Sequence, residues 1–388
     1  RAIAEARAEV KARNEAKAAA NAETRAKLRA EAKANAEARA KARAEAKLAE
    51  LDADLEGDLE ADADSASASS RFFSLLRKGD REGFTKLENE LLARSVEQWT
   101  PVVQAFRALR QLEDIAAEAK LDEKYRPRVW WMRSPYPGNF GDILTPYVMW
   151  HGFGVMPRWA PITQADGLCI GSIAKFARPG KHVWGTGMPR DSDPLCPTAI
   201  YASVRGPLSR AAVLASGGKV PEIYGDPAVL LPRLYHPKVT KTHRIGLIPH
   251  VLYESMFRRS LGALGANHIK IISLLSASLE DIERVVRDIL SCDEIVSTSL
   301  HGVIVSHAYG VPCQSLRVQD ADMPAVDSFK MQDYKLSVGL TDTPLTVQAD
   351  FTDMKWLEPR QCVLPKKKID TQALANAFPF PRSSSALA

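Results

Sequence analysis

From Pro127 onward the chain alternates short apolar runs with helix-type stretches, and it does so twice. The first set runs RVWWMRS, GLCIGSIA, HVWGTGM and AIYASVR, followed by PLSRAAVLASGG. A proline-rich joint, YGDPAVLLPRLYHPKVTKTH, interrupts it. The pattern then restarts with RIGLIPH, YESMFRRSLGAL, IKIISLL, SLEDIERVVRDILSC, EIVSTS and CQSLRV. Strands this apolar have no face to offer to water, so they must be covered on both sides. That condition is met by parallel sheets sandwiched between helices. Two sets split near 232–243 predict an α/β chain with two Rossmann-like domains facing a cleft, over 126–235 and 236–345. A C-terminal tail is expected at 346–388. Within SLEDIERVVRDILSC, Ser278 is the expected helix N-cap.

What precedes this pattern reads as an all-helical N-terminal extension. Residues 1–61 are dominated by Ala, Arg, Lys and Glu, strong helix formers, with opposite charges such as Lys27 and Glu31 at helical spacing. Large apolar residues are too sparse there for a heptad, which leaves a charged helical or disordered arm with no chemistry. The stretch 62–70, DADSASASS, reads as a flexible linker. Residues 71–125 carry apolar positions at 3–4 spacing, Leu87, Leu91, Leu92 and Val96, then Val103, Phe106, Leu109 and Leu112. These predict two or three amphipathic helices that pack or contact a partner.

Charge is uneven along the chain. Residues 1–50 hold 13 Lys/Arg against 8 Glu, residues 51–64 add seven acids and no base, and the remainder carries a net +7. A mildly basic folded body suits a phosphorylated or acidic small substrate and lacks the dense basic stripe of a nucleic-acid binder. Five cysteines without C-x-x-C spacing argue against a disulfide framework or a zinc site. No apolar run approaches the roughly 18 residues of a membrane span, and no signal-peptide pattern opens the sequence. A cytoplasmic location is expected, with peripheral association at the inner membrane as a variant of it. Another protein is the contact that the N-terminal arm could make.

Three strand-to-helix junctions could carry chemistry, because ligands of such sheets bind beyond the carboxyl ends of strands. In STSLHGVIVSHAYGVP, His301 ends a strand and Gly302 opens a helix whose first amides lack intrahelical partners, an anion-binding arrangement. His301 either caps that turn or works on a ligand beside the Ser297, Thr298 and Ser299 hydroxyls; His307 falls on another helical face and reads as structural. In RSPYPGNFGDILTPY, Asn139 turns the chain, Gly138 and Gly141 allow close backbone approach, and Asp142 opens a helix. Asp142 is either an ordinary first-turn acid or a hydroxyl-orienting base. In SVRGPLSR, Arg205 ends a strand and either makes a surface ion pair or grips an anion. Asp226 at the joint and His250 at the end of RIGLIPH are weaker candidates. GTGM and IGSIA make no G-x-G-x-x-G, and no Walker motif occurs, so no nucleotide cofactor is expected, nor any other.

Taken in order, GNFGDILTPY, IGSI, VWGTGM, SVRGPLSR, YGDPAVLLP, GLIPH and STSLHGVIVSHAYGVP resemble the polysaccharide pyruvyl transferases, from about Arg128 to about Val318. Within them the likeness is to the ketal-forming enzymes of exopolysaccharide synthesis. The resemblance implies a cytoplasmic transferase that moves the three-carbon unit of phosphoenolpyruvate to two hydroxyls of a sugar and releases phosphate. The acceptor would be a polysaccharide or its precursor, including a lipid-linked oligosaccharide. It further implies that His301 and Asp142 are catalytic and that Arg205, Ser299, Gly302 and His250 hold the donor. Asn139, Gly141 and Asp226 would line the cleft. Many relatives carry an arginine two residues before the motif histidine, where this chain has Ser299; Arg205 is the candidate replacement. Two alternatives stand beside this: a GT-B-type nucleotide-sugar glycosyltransferase using Glu294 or Asp320, and a non-catalytic scaffold with a degenerate transferase domain.

Overall fold

In the computed structural model, residues 63–133, 136–319 and 328–383 are described. The expected arm at 1–61 and Asp320 lie outside them. Three helices come first, α1 (Ala63–Lys78), α2 (Arg81–Arg94) and α3 (Val96–Glu118). The expected linker at 62–70 is therefore overturned over 63–70, which is helical. Serine and alanine tolerate a helix, and burial of Ala68 and Phe72 favours one here. Phe72 stacks on Phe106 of α3 at 4.6 Å and lies 4.8 Å from Phe84 of α2, so the three helices share one aromatic core.

Two parallel five-stranded sheets follow. The first comprises β1 (Arg128–Val129), β2 (Arg158–Trp159), β3 (Gly167–Leu168), β4 (His182–Trp184) and β5 (Ile200–Ser203), in the order β2-β1-β3-β4-β5. The second comprises β6 (His243–Ile248), β7 (Ile269–Ile271), β8 (Cys292–Ser297), β9 (Cys313–Gln319) and β10 (Leu345–Gln348), ordered β10-β9-β8-β6-β7. Numbered from its own first strand, each sheet reads 2-1-3-4-5. Each sheet therefore reverses direction between its first and third strands, the place where doubly wound sheets open a crevice.

Helices cover the faces, as the apolar strands require. They are α4 (Phe140–Phe153), α5 (Pro207–Ala215), α6 (Leu231–Leu234), α7 (Glu254–Ala263), α8 (Leu279–Leu290), α9 (Leu300–Ala308), α10 (Ser328–Ser337) and α11 (Thr371–Asn376). Ser278 caps α8 through a full capping box with Asp281. In the joint between the sheets, Pro227–Leu230 forms a 3-10 turn that runs into α6.

β10 runs through position 346, and the chain after it returns to the first sheet. There Trp184 Nε1 donates to the Leu374 carbonyl at 2.9 Å and Phe378 stacks on Phe153 at 3.9 Å. No helix among the described residues is long and apolar enough to cross a membrane.

Candidate functional site

The crossover points of the two sheets meet. On the first sheet the chain leaves β1, turns at Gly138 (φ +129°) and enters α4 with Asn139 as N-cap. That turn is stapled to the second sheet's loop after β7. Phe140 N–H donates to the Leu274 carbonyl at 2.8 Å, and Ser276 N–H donates to the Gly138 carbonyl at 3.1 Å. On the second sheet, Ser297 Oγ at the end of β8 donates to the Ile248 carbonyl at the end of β6, at 3.0 Å. His250 N–H donates to Thr298 Oγ1 at 2.6 Å. The loops after β1 and β7 are thus tied to each other, and those after β6 and β8 likewise, before α4 and α9 begin.

His301 lies in the first turn of α9 and packs its imidazole on Gly141 of α4; a Cβ at Gly141 would fall under 3.0 Å from the ring. Only glycine leaves room for that approach. Nε2 of His301 is 3.4 Å from Asp226 Oδ2, an ion-pair distance without hydrogen-bond geometry. Asp226 is fully buried; its Oδ1 accepts from Ala228 N–H at 3.0 Å and its Oδ2 from Gly171 N–H at 3.4 Å. Asp142 stands in the first turn of α4, 7% exposed, where the positive end of the helix stabilises a carboxylate. A Cβ on Gly171, after β3, would sit 3.8 Å from Asp142 Oδ1. Gly171 therefore adjoins both acids, and His301, Asp226, Asp142 and Gly141 form one cluster.

The remaining candidates surround this cluster at different depths. Ser299 is the N-cap of α9, 5% exposed, and its side chain makes no capping bond. Gly302 follows, packed against Ser297 and Ile248. His250 is half-buried and caps the turn after β6, its Nδ1 3.4 Å from Leu252 N–H.

Arg205 is deeper than a surface anion clamp would be, with 0% exposure. Its Nε donates to Asp333 Oδ2 at 3.2 Å, Nη1 to Ser172 Oγ at 2.7 Å and Nη2 to the Met188 carbonyl at 2.7 Å. Burial pulls its pKa below the ordinary guanidinium value, and Asp333 and Asp226 oppose that shift. The surface ion pair that the sequence left open is excluded by this burial. A donor anion that reaches Arg205 would have to take the place of Ser172 or the Met188 carbonyl.

Sequence reasoning missed Asp333 on α10. It also accepts from Leu208 N–H, Ser209 N–H and Ser209 Oγ at 2.6–3.0 Å, and so caps α5, whose own N-cap is Gly206. It stands 128 positions from Arg205, and no local pattern marks it. His307, which the sequence suggests is structural, is buried, with Nδ1 3.1 Å from the Tyr334 hydroxyl. Glu294, the acid suggested for a glycosyltransferase, pairs with Arg360 at 2.7 Å.

Comparison with known proteins gives matches over part of the chain. Residues 178–319 match the family described as polysaccharide pyruvyl transferase. The succinoglycan biosynthesis protein ExoV of Rhizobium meliloti (strain 1021) is 28% identical over 226 residues, 54% of this chain and 65% of that protein. An uncharacterized protein of Acanthamoeba polyphaga mimivirus is 27% identical over 175 residues, 44% of this chain and 59% of the other. The matches thus span roughly three fifths of the curated relatives' length. No solved structure matches the chain. Arg205, Asp226, His250, Ser299 and His301 all fall within residues 178–319, the segment that matches the polysaccharide pyruvyl transferase family.

Proposed function

We propose that this chain is a ketal-forming pyruvyltransferase of polysaccharide biosynthesis, with phosphoenolpyruvate as donor and two hydroxyls of one sugar as acceptor. The two sheets would act as Rossmann-like halves facing across the site. The observation that carries the reading is the His301–Asp226–Asp142 cluster at the meeting of both sheets' crossover points, joined to the family match over 178–319. The name of the ExoV relative, a succinoglycan biosynthesis protein, points the same way.

The reaction needs an acid, a base and anion-binding groups. A proton delivered to C3 of the donor turns the methylene into a methyl group and leaves positive charge at C2. One sugar hydroxyl adds to C2, the C2–O bond to phosphate breaks, and the second hydroxyl closes the ring. Two hydroxyl protons are released; one restores the acid and one leaves with phosphate. His301 is the proton donor or a phosphate ligand, and Asp226 holds its ring from the Nε2 side. Asp142 orients or deprotonates the attacking hydroxyl. Ser299, the amides at Gly302, His250 and Arg205 bind the donor's phosphate and carboxylate, with Arg205 exchanging Ser172 for the ligand. Asn139 and Gly141 shape the floor.

The test is phosphate release from phosphoenolpyruvate by the whole chain across a panel of acceptor glycans, beside His301→Ala. Acceptor-dependent release that the substitution abolishes, with the melting temperature little changed, is the expected result. Absence of release with every acceptor, together with no thermal shift from phosphoenolpyruvate, would refute the reading. A thermal shift from a nucleotide sugar instead would favour the glycosyltransferase alternative.

A further inference from the structure

Arg133, just beyond β1, leads the chain toward the Asn139–Asp142 turn. The residue is 4% exposed, and four aromatic rings surround its guanidinium. The Cζ lies 4.2 Å from the Trp159 ring, 4.8 Å from Phe73, 5.0 Å from Phe106 and 5.8 Å from Tyr136. The rings also hold one another, Phe73 stacking on Trp159 at 4.9 Å and meeting Phe106 edge-on at 5.2 Å.

These rings come from separate elements: Phe73 from α1, Phe106 from α3, Trp159 from β2, and Tyr136 from the turn itself. Two further bonds join the same helices to the site's surroundings. Tyr136 Oη is 3.4 Å from Ser69 Oγ of α1, and Gln111 Nε2 of α3 donates to Glu280 Oε1 in the first turn of α8 at 2.6 Å. On its other side the turn is bonded to residues 274–276. The backbone that presents Gly141 to His301 and carries Asp142 is therefore held from two directions. One of the holds comes from residues 63–118, outside the segment that matches the family.

We propose that helices α1–α3 are a positioning part of the site, and that Arg133 is the residue through which they set the Asn139–Asp142 turn against His301. A planar guanidinium suits this task because it stacks flat on ring faces while remaining charged, which a lysine ammonium cannot reproduce. A site built this way is sensitive to small displacements, since a misplacement near 1 Å can cost about 100-fold in rate. The kinetic consequence rests on the pyruvyl-transfer reading; the structural consequence does not.

The experiment uses the whole chain carrying Arg133→Met, Arg133→Lys or Phe73→Leu, the last removing one wall from a half-buried position in case the first does not fold. Amide hydrogen exchange is followed by mass spectrometry, alongside kcat and KM for phosphoenolpyruvate. Each variant is expected to exchange faster across residues 138–145, with kcat down about 100-fold for Arg133→Met, KM within a few-fold, and only partial recovery in Arg133→Lys. Faster exchange confined to residues 63–118, with 138–145 and kcat unchanged, would overturn the proposal and leave Arg133 a packing residue. If the unmodified chain releases no phosphate, the function reading fails, and exchange at 138–145 alone decides whether the cage sets the turn.

Discussion

Asp333→Ala tests the buried pair on which the first sheet's last junction depends. Asp333 and Arg205 are both fully buried, and the carboxylate receives Arg205 Nε, two α5 amides and the Ser209 hydroxyl. Removing one member of a buried pair strands the other charge, which costs about 3–5 kcal/mol. Loss of a helix cap adds about 1 kcal/mol. The sum, about 4–6 kcal/mol, is comparable to the whole stability of many domains, about 5–15 kcal/mol. Urea denaturation of the whole chain, followed by circular dichroism, reads the loss as a lower midpoint at constant m-value.

The double substitution Arg205→Met with Asp333→Leu removes both charges together and is expected to recover more than half of the loss, because no buried ion remains unpaired. The recovered protein should still fail to bind phosphoenolpyruvate if Arg205 is a donor ligand. That separates the arginine's contribution to folding from its contribution to binding. A loss below about 1 kcal/mol for Asp333→Ala, with no coupling to Arg205→Met, would refute the burial argument.

Three other substitutions read different parts of the molecule. Gly141→Ala places a methyl group against the His301 ring; it should cost at least about 100-fold in kcat, while an alanine in a helix offsets about 1 kcal/mol of the strain. Unchanged kinetics would show that the ring does not work from this position. Burial holds the His307 pKa down at about 4 against 6.5 for the free side chain. The unfolded ring therefore takes up a proton that the folded ring refuses as pH falls through that interval. This contribution to stability is fully present above pH 6.5 and is lost progressively toward pH 4, by at most about 3 kcal/mol. Urea titrations at pH 7 and pH 5 check it, and His307→Leu should flatten that part of the slope. Phe378→Ala removes the ring stacked 3.9 Å from Phe153 and should cost about 3–5 kcal/mol in the same denaturation assay, a smaller effect arguing against the C-terminal return to the first sheet.

Fifteen of the strands and helices were legible in local pattern. These were the apolar runs at β1, β3, β4, β5, β6, β7, β8 and β9, the amphipathic α2 and α3, the glycine-marked starts of α4 and α9, the α5 segment behind Pro207, α7, and α8 with its Ser278 cap. Their legibility has a local cause: hydrophobic period, caps and turn residues act over a few positions. The same local rules misread 63–70, where serine and aspartate suggested a break but burial of Ala68 and Phe72 favours a helix. β2 and β10 escaped notice because Arg158–Trp159 stands outside any apolar run and Leu345–Gln348 alternates buried and exposed residues rather than forming one.

The site divides along the same line. Sequence alone placed His301 and Arg205 at the ends of strands and Asp142 at the start of a helix, each beside a glycine turn, because those junctions are written in contiguous residues; the structure moves His301 into the first turn of α9, beyond the end of β8 at Ser297. Which side chains meet there was decided by tertiary structure. The approach of His301 to Asp226, the burial of Arg205 against an aspartate 128 positions away, and the ring cage around Arg133 each join segments that share no local signal. Such contacts arise only when the two sheets and the helical segment pack, since a buried charge or an enclosed cation is tolerable only beside a partner that distant chain has brought to it.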